Sequence, residues 1–90
     1  MTFQVIIDPK VPKKAKKYLS KAHQKKLSEF VETLQYDPFP RNKFDLRKIK
    51  SFENLYALRL GKYRVLYVIL WDKKVIVIED ILPRESAYKR

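Results

Sequence analysis

The chain contains no cysteine, one histidine and one glycine. Without cysteine there is no disulfide, no thiolate metal site and no thiol nucleophile. A single imidazole cannot build a histidine-based metal site or a mechanism that needs two histidines. One glycine cannot supply a Gly-rich phosphate loop of the Walker or dinucleotide kind. No apolar run approaches the ~20 residues of a membrane span. The opening Met1-Thr2-Phe3-Gln4 places no basic segment ahead of an apolar stretch, so no secretory signal is expected and the expected setting is the cytoplasm. Acidic residues are scarce too: Asp+Glu number 10 against 21 Lys+Arg, a formal net charge of +11. A compact chain with so one-signed a field repels itself. That imbalance points to an anionic partner, either nucleic acid or an acidic protein.

What is present fits one small domain spanning residues 1–90, whose 46% hydrophobic content fills a single modest core. Residues 3–7 (FQVII) read as a strand. Asp8-Pro9 reads as an N-cap followed by proline at the first helical position. Val11, Ala15, Tyr18 and Leu19 then recur at one helix face, and Ser20 restarts a second helix striped by Leu27, Phe30, Val31 and Leu34. Pro38 and Pro40 forbid its continuation. Residues 44–50 are expected to form a short strand and 51–54 a turn. Residues 55–60, 63–71 and 74–82 follow as strands, separated by two-residue breaks at Gly61-Lys62 and Asp72-Lys73. The order β-α-α-β-β-β-β predicts an α+β fold of two layers, a two-helix hairpin packed on a largely antiparallel twisted sheet.

Charge is uneven along this path. Between Pro9 and Ser28 lie Lys10, Lys13, Lys14, Lys16, Lys17, Lys21, Lys25 and Lys26, with no acid among them. They cover the solvent side of the helices, either as a plain solvated face or as a surface that binds phosphates without reading sequence. His23 sits among these lysines, far in sequence from any other candidate, and reads as a surface residue. Asp8, Glu29, Glu32 and Asp37 read as caps and helix-surface charges.

The first tight hairpin carries a sharper signal. A two-residue loop at Gly61-Lys62 sets Leu60 against Tyr63 and Arg59 against Arg64, so that the two arginines stand together on one side of the sheet. Opposed like charges are destabilising unless an oxyanion comes between them, which arginine binds bidentately. Strand parity puts Leu55, Ala57, Leu66, Val68 and Leu70 on the same side, making that face apolar at one end and cationic at the other. The Arg64 side chain is expected to point outward. Ion pairing is the competing account, since a similar register in the second hairpin sets Glu79 opposite Leu66 and diagonal to Arg64. Arg84 and Tyr88 stand in a basic tail with Lys89 and Arg90.

The segment Leu55-Tyr-Ala-Leu-Arg-Leu-Gly-Lys-Tyr-Arg-Val-Leu-Tyr67 resembles the RelE/ParE toxin superfamily, in which an aromatic, alternating basic and apolar residues, a glycine and Tyr-Arg-Val/Ile-x-Tyr run through this hairpin. Lys48-Ile49-Lys50 resembles the approach to it, Arg84 and Tyr88 resemble the C-terminal Arg and Tyr of RelE-type members, and the element order is similar throughout. The resemblance implies a toxin of a type II toxin–antitoxin pair, neutralised by a small acidic RelB-like antitoxin. It further implies a ribosome-dependent, metal-free endoribonuclease without cofactor, cleaving mRNA in the ribosomal A site and so inhibiting translation. Carried over by position, Arg59, Arg64, Arg84 and Tyr88 are the implied catalytic residues. Lys48, Lys50, Lys62, Lys13, Lys14, Lys17 and Lys21 are expected to bind RNA or ribosome. One departure is Ala57, where RelE-type members often carry Lys or Arg; either activity is reduced or Lys48, Lys50 or Lys62 supplies the charge. The alternatives are a ParE-like poison of DNA gyrase, an attenuated binding module of the same fold, or a general RNA-binding protein working through its lysine helices.

Overall fold

Residues 2–84 are described by a computed structural model, and they fold as two layers. The order is β1 (Gln4–Ile7), α1 (Lys10–Tyr18), α2 (Lys21–Leu34), β2 (Leu46–Lys48), β3 (Leu55–Leu60), β4 (Tyr63–Leu70) and β5 (Val75–Pro83). The five strands form one sheet in the order β1-β5-β4-β3-β2. Neighbours from β2 to β5 are antiparallel, and β1 lies parallel to β5. This is the expected α+β architecture. No described helix is long and apolar enough to cross a membrane.

Local chemistry sets the helix boundaries. Asp8 Oδ1 accepts from the Lys10 N–H at 3.0 Å, so it satisfies one of the free amides although Pro9 takes the cap position itself. That bond is the main reason the Asp8 carboxyl is held below its ordinary pKa. Ser20 Oγ accepts from the His23 N–H at 3.1 Å and starts α2 as a true N-cap.

The helix stripes bury where the sequence places them. Val11, Ala15 and Leu19 of the first helical segment join Leu27, Phe30 and Leu34 of α2 against Tyr56, Leu58, Val65, Tyr67, Ile76 and Ile78 of the sheet. Phe30 sits edge-on to both Phe44 and Tyr67, at 5.2 and 5.3 Å between centroids. The buried Tyr67 hydroxyl donates to the Pro38 carbonyl at 3.2 Å, and burial pushes its phenol well above the ordinary range. Tyr18 departs from its stripe: the residue remains 44% exposed, and its ring packs on Tyr63, 5.6 Å between centroids.

Two expectations about the second hairpin are corrected. Its connection is four residues, Trp71 to Lys74, with Lys74 at φ 56°, rather than the two-residue break at Asp72-Lys73. A β-bulge also interrupts the β4–β5 register between Leu66 and Tyr67. The extra residue is Glu79, so Asp80, and not Glu79, lies opposite Leu66. The strand expected over 44–50 is shorter, spanning Leu46–Lys48.

Candidate functional site

The sheet has one face under the helices and one free of them. On the free face Ile49, Leu55, Ala57 and Leu66 form a second, small apolar cluster, with Val68 and Leu82 packed against it. Beside this cluster stands the cationic end. The hairpin register is Arg59 opposite Arg64 and Leu60 opposite Tyr63, as a two-residue Gly61-Lys62 loop requires. Gly61 holds φ 61°, the left-handed conformation that such a loop needs and that glycine adopts without penalty.

The two arginines differ in setting. The Arg59 side chain is 41% exposed, and its Nη1 lies 3.9 Å from Asp45 Oδ2. The Arg59 N–H also donates to the Asp45 carbonyl at 2.9 Å, which fixes the acid beside the arginine. Arg64 is only 4% exposed. This corrects the expectation of an outward Arg64: the hairpin register puts it on the free face, but on the inner strand β4, where the whole side chain is covered, its Nη1 included.

The third arginine reaches the hairpin through the backbone. The Arg84 N–H donates to the Lys62 carbonyl at 2.8 Å, extending the β4–β5 ladder past Pro83. Arg59, Gly61, Lys62, Tyr63, Pro83 and Arg84 thereby line one open cleft of about 640 Å³. Three cationic residues share it, two from the β3–β4 hairpin and one from beyond β5, with Arg64 next to Arg59 across the strand pair. Chemically the arrangement offers guanidinium forks and an ammonium, the groups that suit an oxyanion.

The family model for the ParE toxin of type II toxin–antitoxin systems matches residues 10–88. A candidate RelE1 toxin of Methanocaldococcus jannaschii is 44% identical over 89 residues, covering 99% of this chain and 98% of the relative. The chain belongs to the RelE/ParE toxin superfamily. Among solved structures, the archaeal RelE–RelB complex from Pyrococcus horikoshii OT3 holds a chain 43% identical to this one. The match has a TM-score of 0.79 and covers 97% of this chain and 100% of that one. The RelB–RelE antitoxin–toxin complex from Methanococcus jannaschii shares the fold with a TM-score of 0.72 at 24% identity, covering 93% and 95% of the two chains.

In this RelE/ParE toxin the expected site residues are dispersed as well as gathered. Arg59, Arg64, Lys62 and Arg84 come together, whereas Tyr88 lies outside the described residues. Lys48 pairs with Tyr56 in the strand register, on the helix side of the sheet, and Lys50 stands in the turn after β2. Lys13, Lys17 and Lys21 are exposed on the helices. Lys14 is not a plain solvent cation: its Nζ lies 2.7 Å from Asp80 Oδ1 and donates to the Ile81 carbonyl at 3.3 Å.

Three neighbours of the site were missed in the sequence. Asp45 and Arg47 share the free face, because Arg47 pairs with Ala57, next to Arg59 on β3. The signal was there: Phe44 and Leu46 are two apart and apolar, so the residues alternating with them must face the other way. His23 is the third. A Cβ on Gly61 would meet His23 Cε1 at 2.9 Å, so the imidazole lies against the hairpin loop despite its distance in sequence.

Proposed function

We propose that this toxin is a ribosome-dependent endoribonuclease that cleaves mRNA in the ribosomal A site and so inhibits translation. The observation that carries the reading is the cleft in which Arg59, Lys62 and Arg84 converge beside Arg64. In the reaction the RNA's own 2′-oxygen attacks the adjacent phosphorus while the bond to the 5′-oxygen breaks. The products are a 2′,3′-cyclic phosphate and a 5′-hydroxyl. The 2′-OH proton must be taken up, and the leaving 5′-oxygen must receive one. Negative charge builds on the non-bridging oxygens in between, and paired guanidiniums stabilise it there. Arginine holds its proton at neutral pH and cannot serve as the base. Tyr88 or the Lys62 amine of the cleft takes the 2′-OH proton, and the other of the two can return one to the leaving 5′-oxygen. A site so poor in acid–base groups depends on an imposed in-line geometry, which the decoding centre supplies.

A small acidic antitoxin neutralises the toxin by covering the free face, its carboxylates meeting Arg59 and Arg84 and its apolar side chains meeting the cluster around Leu55 and Leu66. The complexes of the Pyrococcus and Methanococcus proteins with RelB support this partnership. The matched family description names ParE, which favours gyrase poisoning as the second reading.

Programmed ribosomes incubated with the purified protein, followed by primer extension, test the assignment. Discrete cuts at A-site codons are the expected result. Intact mRNA together with blocked DNA supercoiling would replace the nuclease with a gyrase poison.

A further inference from the structure

The end of the sheet that holds the cleft also carries an exposed aromatic pair. The Lys14 ammonium meets Asp80 and the Ile81 carbonyl one turn before Tyr18, so α1 advances along β5 toward Pro83. Pro83 lies opposite Tyr63 in the sheet register. Tyr18, the last residue of α1, thereby meets Tyr63, with 5.6 Å between ring centroids and 31° between ring planes. Tyr63 belongs to two neighbourhoods. It packs against the core under the helices, and it lines the cleft with Arg59, Lys62 and Arg84.

Packing accounts for Tyr63 and for only part of Tyr18. Tyr63 is half-buried, whereas Tyr18 leaves much of its ring in solvent. The Lys17 ammonium lies over that ring, 5.3 Å from its centroid. The exposed aromatics Tyr36, Phe52 and Trp71 stand at the other end of the strands. Trp71 lies in the β4–β5 connection, and Phe52 precedes β3. Tyr36 follows Gln35, whose carbonyl accepts from the Phe3 N–H, and the next residue, Gln4, donates to Lys74 of that same connection. Tyr18 is therefore the exposed ring beside the cations of the cleft. A flat π face next to guanidiniums and ammoniums is the combination that holds single-stranded nucleic acid: the cations take phosphates, and the ring stacks on a base. Carboxylates of an acidic peptide would meet the cations but leave the ring uncovered.

We propose that Tyr18, braced by Tyr63, is a stacking platform for an unpaired RNA base, that of a nucleotide flanking the phosphate in the cleft. This rests on the reading of the cleft as an RNA site, and it adds a base contact to residues that otherwise meet phosphate. A base arriving over the ring displaces the Lys17 ammonium, which is then available to a backbone phosphate. Stacking reads no hydrogen-bond pattern, so the platform strengthens binding without selecting one base. The competing role is a plain aromatic clasp between α1 and the β3–β4 hairpin, which would affect stability and leave RNA contacts unchanged.

The test uses programmed ribosomes whose mRNA carries 2-aminopurine at each A-site position in turn, with 2′-deoxy nucleotides there so that no cut occurs. Stacking of the probe on a tyrosine quenches its fluorescence. Wild type, Tyr18→Phe and Tyr18→Trp should quench one position, and Tyr18→Leu, which keeps apolar bulk against Tyr63, should not. On cleavable mRNA, Tyr18→Leu should raise the half-saturating concentration in single-turnover cleavage at least about fivefold, the low end for one base–aromatic stack. Tyr18→Phe should stay within about twofold of wild type, since its ring is retained. Tyr36→Leu, at the far end of the sheet, should match wild type in both assays. Urea denaturation of each variant reads the clasp separately. Quenching and half-saturation unchanged in Tyr18→Leu, or no quenching by wild type at any position, would overturn the platform whatever happens to stability. A wild-type protein that leaves cleavable mRNA intact would overturn the nuclease reading, while the fluorescence measurement, which needs no cleavage, still decides the platform.

Discussion

Arg59 and Arg64 stand directly opposite each other across the β3–β4 hairpin, yet one is 41% exposed at its side chain and the other 4% exposed overall. The same register thus produces a solvent-facing guanidinium beside Asp45 and a covered one on the inner strand. Burial holds the Arg64 side chain in place, and in the proposed reaction that would pre-position its charge for the transition state. Exposure leaves Arg59 free to follow a ligand.

Truncating each arginine should therefore have a different signature. Arg59→Ala should slow single-turnover cleavage with little change in thermal midpoint. Arg64→Ala should cost about 2–4 kcal/mol of transition-state stabilisation. It should also lower folding stability by about 1–3 kcal/mol, because a covered long side chain is removed. Urea denaturation beside the kinetics separates the two effects. An Arg64→Ala protein as stable as wild type would show that its stem contributes nothing to packing.

The approach of His23 to Gly61 makes a second prediction. Gly61→Ala is opposed twice, by φ 61° and by the imidazole carbon 2.9 Å from the added methyl. It should destabilise the protein by about 1–2 kcal/mol. Removing the ring with His23→Ala in the same chain should recover the steric part and leave the conformational part. Chemical denaturation of the four proteins in a double-mutant cycle measures both, and strict additivity would mean that the ring yields freely.

The helix lysines should divide into two groups. Lys14→Ala and Asp80→Ala should show a coupling energy of about 1 kcal/mol, since the pair is partly buried at 2.7 Å. Replacing Lys13, Lys17 and Lys21 with Gln should leave stability nearly unchanged. It should flatten the salt dependence of ribosome binding by up to about 0.7–0.9 in log–log slope for each phosphate that is no longer neutralised. Co-sedimentation with ribosomes across salt concentrations reads the second effect, and an unchanged slope would return these lysines to a plain solvated face.

Tyr67 sets a limit at alkaline pH. Its phenol is raised above the ordinary value of 10.0, first by burial and then by Tyr56 and Asp37. The neutral form is thus favoured in the folded state. Its contribution is complete below the unfolded pKa and is lost as pH rises beyond it. Wild-type stability should fall above about pH 10 more steeply than that of Tyr67→Phe, which carries no ionisable phenol. The variant should begin from a slightly lower stability at pH 7, having lost the hydrogen bond to Pro38. Parallel pH-dependent slopes in urea melts would rule out Tyr67 as the source.

The sequence by itself determined whatever rests on local periodicity and turn length. The two helix stripes, the Ser20 cap and the pairing of Arg59 with Arg64 are of this kind, because a two-residue loop leaves a hairpin only one register. The alternation of strand residues likewise determined which side of the sheet carries the arginines and which apolar residues accompany them. Tertiary structure alone decided where no tight turn sets the register. The six residues between β2 and β3 leave that pairing free in sequence terms, so only the fold sets Arg47 against Ala57 and Lys48 on the other face. The bulge at Glu79 changes strand parity midway along β5 and could not be read from alternation. The burial of Arg64, the pairing of Lys14 with Asp80 and the approach of His23 to Gly61 all depend on how the helix layer and the sheet come to rest on each other. Such contacts join residues far apart in the chain, and their distances follow from packing rather than from spacing along the sequence.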